Sequence, residues 1–361
     1  MKLRYAAIML AALDAALCSP NTPAAQAQAQ SPAPQAQSGA RQVPAKMIPI
    51  PDTVSPQMQA IIAQPYNPTW NVVPKTVDEW KAIIAKNAAA TIATLPEIRA
   101  ALHVKVEPTV IAGVKAYIVT PDTIPPANRN RLLVHVHGGA YVLSPGEAAT
   151  KEAIELAGFG HFKVISVDYR MPPDFPYPAA MDDAMAVYRA ALKMAKPQNI
   201  GIFGTSTGGG MTLAMVLRAK LEKLPLPGAI APGTPWSDMT KTGDSFYANE
   251  MVDNVLVSDD GFLHAAALLY ANGHDLKDPL LSPVYGDMHG FPPTILTTGT
   301  RDLFLSNTVR VHRKLRQAGV EAVLQVFEGE SHAQYYRDIT SPEAIDYNTE
   351  VARFFDKHLG R

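Results

Sequence analysis

An α/β fold with a mostly parallel central sheet and helices on both faces is what this sequence predicts, and three observations carry the prediction. From about residue 132 onward, short apolar runs alternate with amphipathic stretches of helical length. The runs are continuously apolar, as strands buried on both faces are. With 361 residues, 47% of them apolar, the chain holds enough material for one large domain, with at most a small appendage.

The elements follow in order. Lys2 and Arg4 precede an apolar run from Tyr5 to Leu17, and Ala25-Gln26-Ala27 supplies a small-residue cleavage pattern. That arrangement predicts a signal peptide over residues 1–27, with a periplasmic or secreted product. The run is too short to span a bilayer, so no stable membrane insertion is expected after processing. Cys18 offers a lipoprotein site as an alternative, weakened by the bulky Leu17 before it. Residues 19–40 contain no charge, aromatic residue, Val, Ile or Leu. Such a segment cannot offset its conformational entropy, which predicts a flexible linker over 28–42.

From 43 to 102 the pattern is helical and interrupted by prolines, with a helix start at Thr76-Val77-Asp78-Glu79-Trp80 and an apolar face at Trp80, Ile83 and Ile84. Strands are then expected at 132–136, 163–167, 200–203, 294–297 and 323–327. Helices are expected at 179–192, 209–221, 307–318 with Gly319 as a stop, and 342–359. No second independent domain is marked after residue 103. In such sheets active sites gather at the carboxyl ends of the strands.

Charge excludes some functions. The chain has 32 Lys+Arg against 33 Asp+Glu and only 18% charged residues, so no basic excess exists to neutralise phosphates or anionic membranes. Cys18 is the single cysteine; its removal leaves no thiol for disulfides, zinc–cysteine sites or a thiol nucleophile.

Gly204-Thr205-Ser206-Thr207-Gly208 fits G-x-S-x-G. In random order the chain's glycines and serines would give about 0.06 such matches, so context decides. The motif stands directly after a strand and directly before a helix, the setting that holds a serine on a tight turn with its hydroxyl exposed. A serine hydroxyl needs a base and an acid that orients the base. His332 follows the last strand by a short loop and is the expected base. His312 and His358 lie in helices, and His264, His274 and His289 come too early. Asp302, in Thr298-Gly299-Thr300-Arg301-Asp302, is the expected acid, with Glu328 and Glu330 as runners-up. His137-Gly138-Gly139-Ala140-Tyr141 follows the first central strand and, with the N–H of Thr207, would supply oxyanion donors.

Together with Asp168-Tyr169-Arg170 and Phe175-Pro176-Tyr177-Pro178-Ala179-Ala180, these motifs resemble the hormone-sensitive-lipase-like branch of the α/β-hydrolases, bacterial esterase family IV, over about 132–359. The resemblance implies a carboxylic ester hydrolase without a cofactor, a Ser206–Asp302–His332 triad, and oxyanion donors at Gly139, Ala140 and Thr207. It also implies that the helical segment 43–102 is a cap over an α/β-hydrolase domain at 103–361. Two departures stand out. Ala140 replaces the usual third glycine, and Thr205 and Thr207 stand where Asp and Ala are commonest, which looks like a threonine-bearing subgroup. The β-branched Thr207 beside the oxyanion hole puts acceptance of bulky groups in question.

Tyr141, Tyr169 and Trp236 are candidates to line the substrate pocket. Asp168, Arg170 and Asp182 are assigned to a polar network beneath the site. The expected substrate is a small-molecule ester with short to medium acyl chains. Lactone hydrolysis and deacetylation of carbohydrates or xenobiotics use the same triad and stay open. A homodimer is also left open. Two rivals come from other classes. His135 and His137 share a strand face and would start a metal site, but no third ligand is evident. A non-catalytic binding protein on this fold is the other.

Overall fold

The computed structural model describes residues 39–360. The expected signal peptide, Cys18 and most of the expected linker lie outside the described residues. Residues 39–48 group apart from the unit that begins at Pro49 and contain neither helix nor strand.

The unit from Pro49 opens with three helices, α1 (Pro56–Ile62), α2 (Val77–Ile92) and α3 (Leu95–Leu102). Thr76 caps α2 as expected, its hydroxyl accepting from the Glu79 N–H at 3.2 Å. The Glu79 carboxylate accepts in return from the Lys75 N–H at 2.6 Å, so orphan donors at the helix start are satisfied. Strands β1 (Val104–Ile111) and β2 (Val114–Pro121) form a hairpin, followed by β3 (Leu132–Val136), α4 (Lys151–Gly160), β4 (Lys163–Val167), α5 (Ala179–Met194), β5 (Ile200–Thr205) and α6 (Thr207–Leu221). Strand β6 (Ala229–Gly233), helices α7 (Ser245–Ala248) and α8 (Phe262–Ala271), β7 (Thr294–Gly299), α9 (Leu305–Gln317), β8 (Ala322–Phe327) and α10 (Pro342–His358) complete it.

The eight strands lie in the order β1-β2-β4-β3-β5-β6-β7-β8. The pairings β1–β2 and β2–β4 are antiparallel, and those from β4 to β8 are parallel. Alternation across the sheet builds two cores. Val134, Val136, Ile202, Ile230 and Leu296 join the cluster that contains residues of α5, α6 and α9. Leu133, Phe203, Ala231 and Ile295 join α3, α4 and α10. Each such buried Val, Leu, Ile or Phe side chain is worth ~1.5–3 kcal/mol of transfer free energy, which is why the strands read as unbroken apolar runs.

Three strands escaped the sequence reading. The β1–β2 hairpin turns through Ala112 and Gly113, both at positive φ (51° and 83°), and β1 carries Pro108, tolerated because β1 is the sheet edge. Strand β6 is short and contains Pro232, a residue that argues against a central strand. The five expected strands and four expected helices are all present, most with ends shifted by one to three residues.

Candidate active site

Strand β5 delivers Ser206 to its carboxyl end, and α6 begins at the next residue. Ser206 sits at φ 63°, ψ −121°, a strained backbone for a residue with a side chain. Close packing sustains it: a Cβ on either Gly204 or Gly208 would lie 2.0 Å from the Val136 carbonyl oxygen at the end of β3. The Ser206 N–H donates to Gly233 O (2.9 Å), and its carbonyl accepts from the N–H groups of Gly210 (3.0 Å) and Trp236 (2.9 Å).

The loop after β3 turns through Gly139, Ala140 and Tyr141 at φ 114°, 55° and 59°. Gly139 O accepts from the N–H groups of Val142 and Leu143 (3.0 and 2.7 Å). The N–H groups of Gly139, Ala140 and Thr207 find no acceptor among the described residues; Gly139 and Ala140 line the cavity described below, and Thr207 does not. His137 stacks on Tyr169 with ring centroids 4.0 Å apart, and the Tyr169 hydroxyl donates to His137 O at 2.6 Å. Burial pushes the His137 imidazole down to about 3, so it is neutral there.

Asp302 follows β7 and is fully buried. Its Oδ1 lies 3.1 Å from His332 Nδ1 and accepts from the Phe304 N–H at 2.8 Å. Its Oδ2 accepts from the Thr298 hydroxyl at 3.1 Å and from the Thr234 hydroxyl. An imidazole nitrogen facing a carboxylate carries the proton, so Nδ1 donates and Nε2 presents its lone pair. His332 Nε2 has no hydrogen-bond partner among the described residues. Ser206, His332, Gly139 and Ala140 line one cavity of about 520 Å³. Its apolar wall is Trp70, Val255, Leu256, Phe262 and Leu263, and Asn87, Ala90, Thr91 and Thr94 come from the α2–α3 segment.

The structure therefore brings Ser206, His332, Gly139 and Ala140 together and puts Asp302 behind His332. It does not bring Tyr141, Tyr169 or Trp236 to that cavity. All three are packed in the core: Tyr141 stacks on Tyr270 (3.8 Å), Tyr169 on His137, and Trp236 on Phe304 (5.5 Å). Large aromatic surfaces are better buried than exposed here. The expected polar network separates into three pairs: Asp168 accepts from the Gly146 N–H (2.8 Å), Arg170 pairs with Asp183 (2.8 Å) and Asp182 with Arg218 (2.6 Å). His135 is committed to Ser166 (3.0 Å) and Glu152 (3.2 Å). Glu328 is exposed and Glu330 makes no bond to His332.

Sequence reasoning missed several supporting residues. Thr234 and Thr298 hold Asp302. Glu152 on α4 accepts from both the N–H (3.1 Å) and the hydroxyl (2.7 Å) of Thr205, bringing a carboxylate to the elbow beside Ser206. Only the Thr205 departure hinted at it.

Fold and site together have the form of an α/β hydrolase centre. A family model described as the alpha/beta hydrolase fold matches residues 133–336. An esterase from Acinetobacter venetianus is 31% identical over 256 residues, 70% of this chain and 82% of its own length. An acetyl-hydrolase from Streptomyces hygroscopicus is 28% identical over 226 residues, covering 62% and 75% of the two chains. Among solved structures, esterase E25 superposes with a TM-score of 0.86 at 47% identity, over 89% of this chain and 99% of its own. An esterase of the bacterial hormone-sensitive lipase family superposes at 0.68 and 26% identity, over 80% and 100%. The chain belongs to the alpha/beta hydrolase fold family, and its neighbours include the hormone-sensitive-lipase-like branch that the motifs resemble.

Proposed function

We propose that the chain is a carboxylic ester hydrolase working through an acyl-enzyme on Ser206. One observation carries the reading: His332 donates a hydrogen bond from Nδ1 to Asp302 and leaves Nε2 unpartnered, while His332 and Ser206 line one cavity. His332 Nε2 takes the Ser206 proton as Oγ attacks the ester carbonyl carbon. The carbonyl oxygen becomes an oxyanion received by the N–H groups of Gly139, Ala140 and Thr207. Collapse breaks the carbon–alkoxy bond, and the imidazolium returns the proton to the departing alcohol. Water, deprotonated by His332, then releases the acid and regenerates Ser206. Asp302 orients the imidazole and stabilises its charged form.

The cavity of about 520 Å³, lined in part by the α2–α3 segment, supports a preference for short to medium acyl chains and a capping role for residues 43–102. The same site would open a lactone, and the acetyl-hydrolase relative supports acetyl esters as substrates. For residues 1–27 the reading is an export signal, tested by N-terminal sequencing of the secreted product. The activity is tested with p-nitrophenyl esters from acetate to laurate. We expect the highest turnover on the short chains and a loss of about a thousandfold or more in Ser206→Ala, because triad members act as a unit. Equal activity of the two proteins refutes the assignment.

A further inference from the structure

Residues 253 and 254 lie in the segment between α7 and α8, outside every motif, yet both side chains are buried among the loops that carry the acid and the base. Four backbone N–H groups converge on the Asp253 carboxylate. Oδ1 accepts from Val255 (2.8 Å) and Leu256 (3.0 Å), closing its own turn. Oδ2 accepts from Leu303 (2.9 Å), the residue after the acid, and from His332 itself (3.3 Å). Asn254 continues the junction. Its N–H donates to the Ser331 hydroxyl (3.1 Å), its Oδ1 accepts from Gln334 Nε2 (2.8 Å), and its Nδ2 donates to the carbonyls of Ile61, Ile62 and Gln64 at the end of α1 (3.3, 3.3 and 2.9 Å).

We infer that Asp253 is a positioning residue for the acid–base pair. Its Oδ2 ties the backbone after Asp302 to the backbone of His332, so that the Nδ1–Oδ1 contact is held at hydrogen-bonding distance, and Asn254 fastens the same junction to α1. The inference rests on the reading of Ser206, Asp302 and His332 as the reacting triad. The donor arithmetic requires a carboxylate: four N–H donors meet two acceptor oxygens, and an amide would turn an NH2 group against two of them. Burial and then the Asp302 carboxylate push the Asp253 carboxyl upward; the His332 imidazole and the donated N–H groups oppose that. Asp253 is not among the residues lining the cavity, so it has no means of touching substrate.

The test is Asp253→Asn, assayed on p-nitrophenyl butyrate beside wild type and Ser206→Ala, with active sites counted by stoichiometric organophosphate labelling. A displacement of the base of well under an ångström is costly, so kcat per labelled site should fall about thirtyfold with KM within about twofold. A role in folding alone would lower the number of labelled sites and leave turnover per site unchanged, and that result overturns the proposal. Ser331→Ala, which removes the acceptor for the Asn254 N–H, is the milder variant should Asp253→Asn not fold. It should lower turnover per site about threefold, and unchanged turnover there also overturns the proposal. If wild type and Ser206→Ala hydrolyse the ester equally, the triad reading itself fails, and the positioning role with it.

Discussion

Around Ser206 the chain is packed backbone against backbone. Gly204 and Gly208 both press on the Val136 carbonyl, and Ser206 is forced into a positive φ. Around Asp302 and His332 the holding is done by hydrogen bonds instead, from the hydroxyls of Thr234 and Thr298, the Phe304 N–H and the Asp253 carboxylate. The difference matters because repulsion is steep. A steric restraint fails all at once, whereas hydrogen bonds worth ~0.5–1.5 kcal/mol net each fail one at a time.

The comparison can be broken most severely at Gly208. In Gly208→Ala the added methyl meets the Val136 oxygen at 2.0 Å and the His137 carbonyl carbon at 2.8 Å, and neither is a flexible side chain. We expect either no soluble protein or a loss of kcat of about a hundredfold, since the turn carrying Ser206 must shift. Circular dichroism and ester turnover check it, and a near-normal enzyme would show that shape is not what holds the nucleophile.

Thr234→Val probes the other side at constant shape. Asp302 Oδ2 loses one hydroxyl donor and keeps that of Thr298, so a graded fall in kcat of about tenfold is expected, with the fold intact. A loss as large as that of Ser206→Ala would mean that the acid depends on a single donor.

The effect furthest from turnover is on stability and comes from Glu330, two residues before His332. Both carboxyl oxygens are buried without partners, and burial, with Glu343 and Asp302 adding, pushes the group from 4.5 up to about 8. The folded state thus holds this proton more tightly than the unfolded chain. The resulting stability is fully present below pH 4.5 and is lost as pH rises toward about 8, at up to about 1.4 kcal/mol per pH unit. Glu330→Gln is neutral throughout, so its urea midpoint should gain on wild type between pH 5 and pH 9. A gap independent of pH would contradict this.

The same division explains what was legible in the sequence. The nucleophile's support is local: glycines at fixed offsets from Ser206, a strand before and a helix after, all within ten residues. The oxyanion loop is equally local. Asp302 and His332 were proposed from their places after strands 294–297 and 323–327, and the structure sets the two side chains in contact. Their supporting groups include Thr234 and Asp253, whose partners lie up to 98 residues away along the chain. No spacing rule reaches that far. Thr234 was further hidden because β6, with its Pro232, did not read as a strand. Tyr141, Tyr169 and Trp236 were misjudged for a related reason: composition marks an aromatic residue as buried or pocket-lining without saying which, and only packing against Tyr270, His137 and Phe304 decides it.

The central claim is that Ser206, activated by His332, is the atom that attacks. Its most direct measurement is peptide mapping by mass spectrometry after treatment with a fluorophosphonate. We predict one adduct per chain, on Ser206, formed much more slowly in His332→Ala and not at all in Ser206→Ala. An adduct on another residue, or ester hydrolysis that survives complete labelling of Ser206, would contradict the account.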